Sequence, residues 1–234
     1  MLSTAVITAP GRHYLSETLQ SYRRYWDVTP HIFSEPGVKQ LDYGHWHYNP
    51  VTLGAVRNWL SALKVMLNYS FEYLMICEDD ATWKQNVVGP SSAETLRCAM
   101  LSKHPFDVPL KELGFISPYC SRINTFKLRE ASYSWHEPRM PTWGWCGALC
   151  ILMPRHFAEL VASRRKQFIE YASEKTKTGT PIHLDYAIGE MAKRNSLKII
   201  THTPSLIQHI GEESTFAANN TKEGKAHKAM QPAE

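Results

Sequence analysis

Three consecutive carboxylates, Glu78-Asp79-Asp80, follow directly on the largely apolar run 71–77. A run of that kind reads as a strand buried on both faces. The triplet therefore stands at a strand's carboxyl end, which is where open α/β sheets bind their ligands. Carboxylates this close repel one another, and their joint ionisation is costly without a compensating cation. A hard divalent ion, Mn²⁺ or Mg²⁺, with diphosphate oxygens as further ligands, would relieve that cost. A solvated acidic turn leading into the next element is the plain alternative. Two more groups have chemistry to offer. Asp185 opens a helical pattern, where it serves equally as an N-cap or as a carboxylate aimed into a cleft. His209 lies in the late segment Pro204-Ser205-Leu206-Ile207-Gln208-His209-Ile210-Gly211.

The elements that must position these groups are legible in outline. Residues 3–8 form a first strand that stops at Ala9-Pro10-Gly11-Arg12, a turn. Leu15, Leu19, Tyr22 and Trp26 recur at helical spacing, with Arg23 and Arg24 near the helix's C-terminal end. His31-Ile32-Phe33 is a short second strand ended by Pro36-Gly37. Val56, Trp59, Leu60, Leu63 and Leu67 make the clearest amphipathic helix, and 71–77 follows as a strand. This β-α-β-α-β order predicts a largely parallel sheet with helices on its faces. Ser91 and Glu94 match a capping box for a helix to about 101. Strands are predicted at 113–117, 146–153 and 197–201, with Pro154 opening a helix and a further helix from 184 or 185 to about 195. Residues 120–145 read as an irregular, aromatic and basic loop, and Arg164-Arg165-Lys166 as a solvated helix face.

The bulk properties narrow the class. The chain has 234 residues, 43% hydrophobic and 21% charged, as a soluble globular protein has. No apolar run approaches the roughly 20 residues a bilayer span needs, and the N-terminus reads as a strand, not a signal peptide. Membrane insertion is not expected, and the expected setting is a cytoplasm. The five cysteines form no C-x-x-C pair and read as buried free thiols. A formal net charge of +4 suits anionic small molecules and tolerates nucleic acid.

An apolar strand followed by Glu-Asp-Asp resembles the variant D-x-D motif of GT-A glycosyltransferases, and 204–211 resembles the P-S-L-x-Q-H-x-G stretch of N-acetylglucosaminyltransferase IV-like enzymes. The resemblance spans most of 3–216. It implies a single α/β GT-A (Rossmann-like) domain over 1–216, built on a mostly parallel mixed sheet flanked by helices, with 217–234 left as a polar tail. It implies Asp80 and His209 as ligands of Mn²⁺ or Mg²⁺, with Glu78 and Asp79 facing uracil or ribose. Ala9, Pro10, Gly11 and Arg12 then fall where such enzymes hold the nucleoside. Gly11 permits close backbone approach, and Arg12 can meet a base or phosphates, although an ordinary β-turn also explains the Pro-Gly pair. Arg57 and Asn58 resemble polar residues lining the donor site, or are simply exposed. Asp185 corresponds to the general base of inverting members. Trp143-Gly144-Trp145 would face the donor sugar or the acceptor, joined by Tyr133, Trp135 and His136 on the acceptor side; packing in the core is the other meaning of such indoles.

The expected activity is metal-dependent, inverting transfer of a sugar from a nucleotide-sugar, UDP-sugar favoured, to an acceptor hydroxyl. A glycan or protein is the expected acceptor, and a hydroxylated DNA base, extruded from its stack, the alternative. The missing membrane anchor departs from Golgi relatives and suits a bacterial or viral enzyme. A nucleotidyltransferase on the same sheet is the rival enzyme class, although Ala9-Pro10-Gly11-Arg12 matches its glycine-rich loop poorly. A non-catalytic nucleotide-sugar-binding relative is the third reading.

Overall fold

The computed structural model describes residues 1–84, 90–101, 108–120, 134–138, 145, 147–174 and 183–211. The expected tail at 217–234, Tyr133, Trp143, Gly144 and Cys146 lie outside the described residues.

The chain is α/β, and its described residues form an eight-stranded mixed sheet between two helical layers. Its strands are β1 (Leu2–Thr8), β2 (His31–Ser34), β3 (His45–Tyr48), β4 (Tyr73–Glu78), β6 (Leu113–Ser117), β7 (Ser134–His136), β8 (Cys150–Pro154) and β9 (Lys198–Thr203), in the order β3-β2-β1-β4-β8-β6-β9-β7. The pairs β3–β2, β2–β1, β1–β4 and β6–β9 are parallel. Those of β8 with β4 and β6, and of β7 with β9, are antiparallel. A separate two-stranded ladder joins β5 (Ala81–Trp83) to β10 (Ile207–His209).

Strand alternation divides the core in two. Ala5 and Ile7 of β1, with Leu74 and Ile76 of β4, face one layer. Val6, with Tyr73, Met75 and Cys77, faces the other, as successive side chains of a strand must. The first layer holds α2 (Ala55–Met66), α4 (Arg155–Ser163), α5 (Arg165–Ser173) and α6 (Leu184–Lys193). In α2, Trp59, Leu60, Leu63 and Met66 form the buried stripe its periodicity predicts. Trp59 stacks on Phe168 of α5 with centroids 5.5 Å apart. The second layer holds α1 (Leu15–Tyr25) and α3 (Ser92–Leu101). The Ser91 hydroxyl accepts the Glu94 amide hydrogen at 3.2 Å, as an N-cap should. The Glu94 carboxylate turns instead to Arg97.

Several elements differ from expectation. The short strands β3, β5, β7 and β10 emerge only in the structure, and the expected strand at 146–153 is observed as Cys150–Pro154. Arg164, Arg165 and Lys166 are exposed, at the junction of α4 and α5. Cys77, Cys120 and Cys150 are buried free thiols as expected, but Cys98 is exposed on α3.

Candidate functional site

The topology makes a crevice where the chemistry-bearing residues lie. From β1 the chain steps outward to β2 and β3, then returns to place β4 on the opposite side of β1. That reversal of winding leaves a crevice beyond the carboxyl ends of β1 and β4. The loop 9–12 leaves β1 there, and Glu78-Asp79-Asp80 leaves β4 there. The ladder of β5 with β10 pairs His209 with Ala81, and the Ile210 amide donates to the Asp80 carbonyl at 3.0 Å. That pairing carries the His209 Nε2 to 2.9 Å from Asp80 Oδ2. Asp185, in the first turn of α6, accepts a 2.8 Å hydrogen bond from the Gly147 amide. The N-cap position belongs to His183, so capping does not explain Asp185.

Arg12 is the cation the chain itself supplies to the triplet. Its Nε lies 2.7 Å from Asp79 Oδ1, its Nη2 contacts Asp80 Oδ2, and the same nitrogen is 4.0 Å from Glu78 Oε2. The sequence pairs Arg12 with a base or phosphate; the structure pairs it with carboxylates. One guanidinium offsets part of three negative charges. Burial pulls the Arg12 pKa down, but the attraction of Asp79, Asp80 and Glu78 raises it overall.

Asp79 is 1% exposed, and both its oxygens are engaged, one by Arg12 and one by the Thr8 hydroxyl at 2.5 Å. It therefore does not face uracil or ribose, as the resemblance implies; it fixes Arg12 and the end of β1. Burial pushes its carboxyl up to about 6, against the opposing pull of Arg12 and Thr8. Glu78 is the reachable member, with 27% of its side chain exposed. Burial first, then the charges of Asp80, Asp185 and Asp79, against Arg12, push it up to about 8. Its partial exposure moderates the burial contribution and leaves the direction upward. The α6 carboxylate of Asp185 is thus near enough for its charge to repel Glu78. Burial lowers the His209 pKa, but the hydrogen bond and charge of Asp80, and the charge of Glu78, outweigh it and raise the imidazole overall.

These shifts share a sign. A group whose folded pKa is raised contributes stability below its unfolded pKa and loses it as pH climbs through the folded value. For Glu78 that window runs from 4.5 to about 8. Glu78→Gln is expected to melt with the native chain near pH 4.5 and above it at pH 8, as differential scanning calorimetry would show. Equal melting at both ends would contradict the charge crowding.

The residues fit a divalent cation. Asp80 is 1% exposed, yet its Oδ1 is buried without a hydrogen-bond partner among the described residues. Buried carboxylate oxygens left so are rare and need a reason. The Asp80–His209 separation of 2.9 Å is that of two adjacent ligands at the roughly 2.0–2.1 Å bonds of a small divalent ion. A carboxylate oxygen suits Mn²⁺ or Mg²⁺, with phosphate oxygens completing the set, and the imidazole nitrogen favours Mn²⁺, the softer of the two; among the described residues no third His, Cys, Asp or Glu joins them as a ready cluster. Gly211 frames the place: a Cβ there would fall 2.4 Å from Asp80 Oδ2 and 3.2 Å from His209 Nε2. Gly211→Ala is expected to weaken Mn²⁺ binding by roughly 10- to 100-fold, the cost of disturbing a ligand's support, measured by Mn²⁺ electron paramagnetic resonance. Unchanged affinity would count against the site.

A pocket of about 190 Å³ opens on the Arg12 side of the crevice, lined by Ala9, Pro10, Gly11, Arg12, Val38 and Lys39 among others. Gly11 has φ +82°, a backbone that favours glycine, and nothing lies within 4 Å of where its Cβ would be. The other expected residues fall elsewhere. Arg57 is exposed on the first turn of α2. Asn58 is buried and donates to the Thr8 and Phe33 carbonyls, a brace between β1 and β2 and not a donor-site residue. Trp145 is 1% exposed, edge-on to Phe115 at 4.8 Å, with Gly189 leaving room for its Cβ. Its indole fills the core and is not a surface for a sugar. Trp135 packs edge-on against His202 at 4.8 Å on the sheet-edge strand β7. Thr8 and Gly211 carry no role of their own in the sequence reading, and the tie of the Gly147 amide to Asp185 was not foreseen there; each is a support whose role depends on contacts far along the chain.

No helix among the described residues is long and apolar enough to cross a membrane. No protein-family model and no curated protein sequence matches the chain. Among solved structures, the crystal structure of A197 from STIV aligns with 90% of this chain and 85% of that one, at 10% identity and a TM-score of 0.47, a loose similarity of overall form.

Proposed function

We propose that the chain is a metal-dependent glycosyltransferase of GT-A type, moving a sugar from a nucleotide-sugar, UDP-sugar favoured, to an acceptor hydroxyl with inversion. The observation that carries the reading is the buried Asp80 carboxylate, one oxygen unpartnered and the other beside His209, in the crevice beyond β1 and β4. Asp80 and His209 would hold Mn²⁺ or Mg²⁺, which when bound supplies Lewis-acid stabilisation of the departing diphosphate. Arg12, gripped by Asp79 and in contact with Asp80, holds the ligand carboxylate in place and lowers the negative charge a diphosphate would meet there. The pocket at 9–12 takes the nucleoside, and the partly exposed Glu78 stands 4.0 Å from its Arg12.

Asp185 is the proposed general base. It takes the proton of the acceptor hydroxyl as that oxygen bonds to the anomeric carbon and the bond to the diphosphate breaks, releasing nucleoside diphosphate. The Gly147 amide holds the carboxylate in place without neutralising it. A glycan or protein is the proposed acceptor and a hydroxylated DNA base the alternative. The test is product analysis with a UDP-sugar, Mn²⁺ and an acceptor panel. Nucleoside diphosphate and a new glycoside are expected, both lost in Asp80→Ala with its circular dichroism unchanged. Release of pyrophosphate would identify a nucleotidyltransferase instead, and binding without turnover a non-catalytic relative.

A further inference from the structure

Three histidines gather on one face of the sheet's edge, apart from the site above. His45 and His47 alternate along β3 and so share a face. His31, the first residue of β2, is the register partner of His45 and so points to the same side. His31 Nδ1 lies 2.9 Å from His47 Nε2. The rings of His45 and His47 have centroids 5.0 and 5.2 Å from that of His31. Apolar rings hold two of the three: Tyr69 against His31 at 4.6 Å, and Phe33 stacked on His47 at 4.5 Å.

We propose that His31, His45 and His47 form a second metal site, independent of the Asp80–His209 pair, that takes a borderline divalent ion such as Zn²⁺. Two residues of one strand separated by one, plus a third from the neighbouring strand, deliver three imidazoles to one side of a sheet. On a tetrahedral zinc with Zn–N bonds of about 2.0–2.1 Å, two ligand nitrogens stand roughly 3.3 Å apart. The His31–His47 pair needs to open by only a few tenths of an ångström to reach that. As placed, the three nitrogens do not converge on one point. His45 is the ring that must turn, and it is exposed. Burial, together with the neighbouring histidines, lowers His31 to about 4 and lowers His47, which keeps both in the neutral form a metal requires. Three imidazoles leave the fourth position to water, and the ion pins the edge strand β3 to β2. His47 is three strands from Glu78 in the same register row, about 14 Å at the usual strand spacing. One ion cannot serve both sites, and the inference stands whether or not the transferase reading does.

Zn²⁺ alone is the probe, titrated calorimetrically into the tag-free full chain near neutral pH, with Co²⁺ absorption reporting geometry. The expected result is a zinc-binding event retained in Asp80→Asn and weakened in His45→Gln by more than the roughly tenfold that losing a ligand's support already costs. Intense visible bands of four-coordinate Co²⁺ should vanish in the same variant. His45 is exposed, so this substitution leaves the core intact, and His47→Gln is the confirming variant. Absence of saturable zinc binding, or zinc binding lost in Asp80→Asn but kept in His45→Gln, would overturn the proposal.

Discussion

Replacing Arg12 by alanine is expected to cost about 3–5 kcal/mol of stability at pH 8, the usual result of breaking a buried ion pair from one side. The Arg12 side chain is 14% exposed, and the side chains of its partners Asp79 and Asp80 are 2% and 1% exposed. Without the guanidinium those carboxylates keep their burial and lose their counter-charge. A domain has only about 5–15 kcal/mol in total, so the variant should be visibly less stable in urea. The loss should shrink at acid pH, because Asp79 is pushed up to about 6 and Glu78 to about 8 and both can shed their charge by taking protons. Mn²⁺ should raise the melting temperature of Arg12→Ala more than that of the native chain, since the ion then supplies the missing charge. Arg12→Lys should recover only part of the stability, because an ammonium cannot span Asp79 and Asp80 as the planar fork does. A variant as stable as the native chain at pH 8 would mean that the triplet is not compensated from within.

Asp185→Asn should lower kcat by about 10²–10⁴-fold, the contribution of a positioned general base, while nucleotide affinity stays within a few-fold. The separation follows from place. Asp185 reaches the cluster from α6 and touches Gly147, whereas the pocket beside Arg12 is built from the loops after β1 and β2. The amide of asparagine still fits the first turn of α6, where no capping bond depends on it. Transfer rates and calorimetric Kd for the nucleotide, measured on the same preparation, decide the matter. Equal loss of binding and turnover would make Asp185 a structural residue.

The sequence conveyed the frame of this site better than its wiring. Strands buried on both faces are largely apolar, so 71–77 announced both a strand and the triplet's position at its end. The helix of Trp59, Leu60 and Leu63 was legible because its stripe follows the helical period. The meeting of Asp80 with His209 spans 129 positions and depends on two three-residue strands, β5 and β10, too short to leave a pattern of their own. Only the resemblance in 204–211 pointed to it. Asp79 misled because aspartate is almost never fully buried unless paired, and its partner Arg12 is 67 residues earlier in the chain. Trp145 misled because an indole beside glycines reads alike whether it lines a cleft or fills a core; its packing against Phe115 and Gly189 decides which. The histidines of β3 were passed over because alternating histidine and aromatic residues at an edge, none of them fully buried, lack the apolar signal of a core strand.

The most direct measurement is calorimetric binding of UDP to the native chain and to Asp80→Asn, with and without Mn²⁺. UDP should bind the native chain in a Mn²⁺-dependent manner, and Asp80→Asn should lose that dependence while keeping its fold. UDP binding of equal strength in both proteins and in both conditions would mean that the crevice beyond β1 and β4 holds no cation–diphosphate pair, and the account of Asp80 and His209 would fall with it.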